Sequence, residues 1–241
     1  MRTGRLEPMR LFEPFAALVA APASPPRIET PHGGFDLVVL VDGEPLPVVG
    51  TLVVGVGVEL RRYEHPLVAV ELLTLPYVPR LPERMRLDRS VAGVWRARAT
   101  APTPPISFRA VAAADWKAGD GDVESGEGLM ALTWYAPDGR VSLGTSDEGD
   151  LVSASKVGLL PERLAYAYAV DHEIWPRALE DNLGLETSLP PLLAGETAQT
   201  HIAAAWQSRP EERNDVSTWL AVDVFAREMA WQADAAVGRS A

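Results

Sequence analysis

A chain of 241 residues, 47% apolar and 23% charged, is long enough to bury a sizeable core and too apolar to be wholly disordered. Its formal charge of −11 argues against nucleic acid, which needs clustered Lys and Arg, and against an anionic membrane surface. With no cysteine, disulfides, thiolate metal sites and cysteine nucleophiles are excluded together.

Residues 1–34 read as an N-terminal arm. Arg2, Arg5 and Arg10 precede the apolar run Leu11 to Ala21, but Glu13 and Pro14 interrupt it as a secretory signal would not, so a cytoplasmic location is expected. No stretch reaches the roughly 18 consecutive apolar residues of a membrane-spanning helix. Phe15, Leu18 and Val19 have the spacing of a short amphipathic helix, and Pro22, Pro25, Pro26 and Pro31 then enforce extended chain. Such an arm lies on its own domain or docks a neighbouring subunit.

Residues 35–241 read as a β-rich globular region. Phe35 to Val41 is an apolar strand closed by the Asp42-Gly43 turn signal. Val48 to Leu60 alternates, with Val54, Val56, Val58 and Leu60 on one face and Gly55 and Gly57 on the other. Glycines so placed point to close approach by another backbone or a ligand. Further strands are expected over Leu67 to Leu75, Ser90 to Ala101 and Ile106 to Ala114, with prolines between them. Trp116 to Gly128, rich in glycine and acid, reads as a loop and marks a boundary near 117–128 between two possible β subdomains. Leu129 to Tyr135 and Arg140 to Leu143 flank Pro137-Asp138-Gly139, a hairpin signal. Leu164, Tyr166, Tyr168 and Val170 alternate with alanines, which favours a strand, while alanine's helix preference keeps helix open over 161–175. Thr197 to Trp206 and Ser217 to Val224 alternate on either side of a polar break and read as two paired strands. Phe225, Met229 and Ala233 are spaced for a short terminal helix within 224–237. The expected fold is therefore all-β, mainly an antiparallel sandwich or a barrel, with short peripheral helices.

Chemical motifs are sparse. Asp120, Asp122 and Glu124 approach a cation loop, but the glycine falls one place late, at Gly126, and position twelve is Ala131. A weakly held divalent cation is the most they support. Asp171, His172 and Glu173 follow an apolar stretch and offer a general base or a metal ligand, although neighbouring strand residues point to opposite faces. Of seven tryptophans, Trp116 and Trp175 adjoin loops and are the candidates for surface recognition, while the other five read as core. Nucleophile elbow, Walker-A and dinucleotide signatures are missing.

Two readings of function follow. The first is a non-enzymatic β-sandwich that binds a protein partner or associates with itself. The alternative is an enzyme or ligand-binding barrel for a small polar molecule or a carbohydrate, with Asp171, His172 and Glu173, or the acids of residues 120–127, at its mouth.

Overall fold

The computed structural model describes residues 11–12, 19–20, 25–118, 121–125, 129–136, 139–165, 176–208 and 216–238. In chain order come β1 (Val19–Ala20), β2 (Arg27–Thr30), β3 (Gly33–Val41), β4 (Glu44–Pro45) and β5 (Val48–Gly55). Next are β6 (Val58–His65), β7 (Val68–Pro76), β8 (Arg89–Ala99) and β9 (Ile106–Ala112). The second half adds β10 (Asp122–Ser125), β11 (Leu129–Ala136), β12 (Gly139–Ser146), helix α1 (Glu148–Lys156), β13 (Arg177–Ala178), β14 (Gly184–Leu189) and β15 (Thr197–Ser208). Helices α2 (Ser217–Val222) and α3 (Ala226–Gly238) follow.

These strands build two antiparallel sheets. The larger has the order β1-β5-β6-β7-β8-β15-β12-β11-β10, and the smaller β13-β14-β9-β3-β2 with β4 paired to β3. Both draw strands from either side of residues 117–128. Strand β15 is central: Thr200 lies opposite Trp95 on β8, and Trp206 opposite Val141 on β12. Its even-numbered residues Ala198, Ile202, Ala204 and Trp206 face the smaller sheet. Its odd-numbered residues Ala203 and Ala205 face the helices. Period two along one strand thus serves two apolar layers, because the large sheet is covered on both faces.

Between the sheets, Trp95, Leu72, Tyr63 and Leu143 of the large sheet meet Phe35, Leu37, Phe108 and Leu185 of the small one. On the outer face, Leu73, Val94, Ala131 and Ala203 lie under Val222, Met229 and Ala233 of α2 and α3. Gly144 of β12 lets α2 sit this low, since an added Cβ would stand 2.8 Å from Val222 Cγ2. A buried hydroxyl chain ties the same helix down: Ser142 Oγ donates to Thr218 Oγ1 at 2.9 Å and lies 2.9 Å from Thr133 Oγ1.

The all-β sandwich with short peripheral helices is what periodicity predicts, and so are the 129–143 hairpin and the terminal helix. Three local readings change. Trp116 to Gly128 is not all loop, because Asp122–Ser125 form edge strand β10 beside β11. Val48 to Leu60 is not one strand, because the chain turns at Val56-Gly57, where Gly57 takes φ +71°. Ser217 to Val222 is helix, not the second strand of a pair. Its buried Ser217, Thr218, Ala221 and Val222 recur every four residues, which alternating polarity around Trp219 disguises. The described beginning of the 161–175 stretch is helical at 162–165. From the arm, Phe12 is buried in the helix-side layer and β1 pairs with β5, so these described parts lie on their own domain.

Candidate functional site

A groove of about 690 Å³ opens between α1 and α3. Helix α1 starts at an Asp147 cap whose carboxylate accepts from the Asp150 amide at 2.8 Å, and it carries acid in its first turn, as the helix dipole favours. Asp150, Ser153, Ala154 and Val157 line the groove from α1; Arg227, Ala230, Trp231 and Asp234 line it from α3. Each set has i, i+3, i+4, i+7 spacing, so each is one stripe along one helix face. Ala154, Ala230 and Ser153 are small, which holds the space between the stripes open. Trp231 is 70% exposed and Phe225, just before α3, 51% exposed.

Other contacts fix the walls. Val78 donates its amide to Gln232 Oε1 at 3.0 Å and accepts from Gln232 Nε2 at 3.2 Å, clamping the strand-exit segment to α3. That places Arg80 in the lining, 3.0 Å from Glu228 Oε1. Asp234 accepts from Arg96 Nη2 at 2.6 Å, and Arg96 Nε donates to Gln199 Oε1 at 2.7 Å. The Arg96 guanidinium also lies 3.9 Å over the centre of the Phe12 ring.

At the base of the groove Asp150 is buried, and its Oδ2 accepts from Ser146 Oγ at 2.5 Å and from the Ala226 amide at 2.8 Å. Neither bond uses Oδ1. Burial pushes the Asp150 carboxyl above the ordinary carboxylate range, Asp147 and Asp223 push it the same way, and the two hydrogen bonds offset only part.

A shallower trough of about 360 Å³ lies where the large sheet extends past edge strand β2, between that strand and the β5–β6 turn. Gly55, Gly57, Glu59 and Arg89 are among its walls, but an added Cβ at Gly57 would meet nothing nearer than 3.7 Å, so the close approach expected there is not made at Gly57, whose glycine serves the turn. Val53 and Val56 there are 74% and 101% exposed.

The residues singled out from sequence do not assemble into one site. Asp171, His172, Glu173, Trp175 and Asp120 lie outside the described residues. Asp122 and Glu124 sit on edge strand β10, where Glu124 accepts from Thr133 at 3.0 Å and Tyr135 at 2.9 Å. Among the described residues no three His, Asp or Glu side chains converge as a metal set. Trp116, read as a recognition residue, is half-buried, with its ring centre 4.6 Å from that of Phe35 and 5.0 Å from that of Trp134. His201 is fully buried, and neither ring nitrogen has a hydrogen-bond partner among the described residues. Burial drives its imidazole down to about 4, while the Val224 backbone pulls the other way without meeting hydrogen-bond geometry.

Sequence reasoning missed Trp231, Phe225 and Asp150. Trp231 was expected in the core; the usable signal was that it shares a helical stripe with Arg227 and Asp234, which a core face would not carry.

The sequence matches no protein-family model and no curated protein. Among solved structures, 85% of the chain aligns with a putative kojibiose phosphorylase from human microbiome at 7% identity and a TM-score of 0.42. The aligned part spans 24% of that protein, and likeness at this level carries no argument about function.

Proposed function

We propose that this protein is a non-enzymatic β-sandwich binding module that grips a protein partner in the groove between α1 and α3. The observation that carries the reading is Trp231, an indole left 70% exposed on a helix stripe that lines a groove of about 690 Å³. Aromatic side chains beside a concave apolar surface are what protein interfaces use as anchors. Phe225 adds a second ring, and the charged residues Arg80, Arg227, Glu228 and Asp234 surround the apolar strip, an apolar centre with a polar rim.

Panning a random peptide library against the protein tests this, with Trp231→Ala and Phe225→Ala variants as comparators. The expected result is a set of peptides whose affinity falls about tenfold or more in the Trp231→Ala variant. Peptides that bind both proteins equally well would overturn the reading. Light scattering on the same variants distinguishes a second copy of this chain from another partner: only self-association would fall with Trp231.

A second reading places a small polar molecule or a carbohydrate in the same groove. It is favoured by Asp150, a buried carboxyl with a raised proton affinity in a cleft, an arrangement that recurs where acids act on ligands. Glycan-array binding that depends on Trp231 and Asp150 would support it; an empty array returns the argument to protein partners.

A further inference from the structure

We infer that the group this groove takes is an organic cation, the lysine or arginine side chain of a partner, with Asp150 as its counter-ion. This rests on the binding-module reading above.

The argument begins with the carboxylate. Asp150 is 4% exposed and lines the groove, and its Oδ2 is saturated by Ser146 and the Ala226 amide. Oδ1 has no hydrogen bond to the described residues and is the oxygen left to a ligand. The charges nearest Asp150 along the chain and across the α2–α3 connection are acidic, Asp147 and Asp223, and both disfavour its ionised form. A buried carboxylate flanked by like charge is stabilised most by a cation, because attraction is strong where water is scarce. The other lining charges bear on this unequally. Arg80 is engaged by Glu228, and Asp234 by Arg96. Arg227 alone has no ion pair among the described residues, and it opposes a cationic ligand. The exposed rings of Trp231 and Phe225 complete the match, since an aromatic face attracts ammonium and guanidinium groups and packs the methylenes behind them. An anion would meet Asp150 at the base and find Arg80 already paired, which leaves it Arg227 alone among the lining cations.

The test uses the full chain and two compounds, N-acetyl-lysine methylamide and N-acetyl-norleucine methylamide, which share a four-carbon side chain with and without the terminal ammonium, titrated at pH 7 and low salt by heteronuclear NMR. The lysine compound should shift the Trp231 indole N–H, assigned through Trp231→Phe, and the norleucine compound should shift it at least tenfold more weakly. Asp150→Asn keeps the shape of the side chain and should weaken lysine binding about tenfold. Arg227→Ala should strengthen it several-fold. Should Asp150→Asn not fold, Trp231→Ala, altered at an exposed position, must still weaken binding. Equal binding of both compounds, no shift with either, or an unchanged affinity in Asp150→Asn overturns the inference. Panned peptides that need Trp231 but lack basic residues would sink the cation and leave the binding module standing. Lysine binding without any Trp231-dependent peptide would do the reverse.

Discussion

His201 sits at the middle of the central strand with no partner for either ring nitrogen among the described residues, and its imidazole resists protonation until about pH 4. The unfolded chain takes up that proton near the ordinary value of about 6.5, so acidification favours unfolding. The contribution is complete above that value and is lost as pH falls from about 6.5 towards 4, up to about 3 kcal/mol. His201→Leu should therefore lose less stability between pH 7.5 and 4.5 than the parent, read from urea midpoints. Glu186 and Glu196, which are held below their ordinary range, weaken both proteins alike on acidification. Equal losses in parent and variant would show that the histidine is not responsible. Trp116 makes the opposite point about legibility. Its place beside a polar, glycine-rich loop suggested a surface role, and its half-buried ring also joins those of Phe35 and Trp134 in one three-ring cluster. Adjacency to loop residues says where the backbone goes, not where a ring can reach. Trp116→Ala should cost about 2–4 kcal/mol in chemical denaturation; a loss below about 0.5 kcal/mol would mean the ring packs loosely.

Helix α2 depends on one missing methyl group. An added Cβ at Gly144 would stand 2.8 Å from both Leu129 Cδ1 and Val222 Cγ2, so Gly144→Val has to lift the helix off the sheet. The expected penalty is about 1–3 kcal/mol or more, with the Ser142–Thr218 hydrogen bond broken. Retained melting temperature in that variant would mean the layer is soft. Elements differed in how far sequence exposed them. The 129–143 hairpin was readable because its turn chemistry and its two apolar runs agree. Strands β8 and β15 were readable because alternation survives even where both faces are buried, whereas β10 was not, because its acidic, glycine-flanked residues read as loop. Ser217 to Val222 was not, because six residues sample fewer than two helical turns and cannot separate a period of 3.6 from one of two. The groove was harder still: it is made by two helix stripes 77 residues apart, and each alone is ordinary.

At the scale of the whole molecule, the smaller sheet and the helices cover opposite faces of the nine-stranded sheet. The all-β sandwich with peripheral helices followed from periodicity; that the helices would cover the outer face of the larger sheet did not. Which layer would hold the arm did not, because a single phenylalanine carries that information. Phe12 is 2% exposed in the helix-side layer, beneath Arg96. Phe12→Ala should lower stability by about 3 kcal/mol while leaving the far-ultraviolet spectrum β-like, a loss measurable in urea. A stability unchanged within error would release the arm from the core. The same guanidinium that roofs Phe12 also holds Asp234, and Asp234 belongs to the wall of the groove. A tag fused close to Phe12, or a shortened N-terminus, would therefore reach the wall of the groove through one arginine, and any affinity measured there would report the trimming as well.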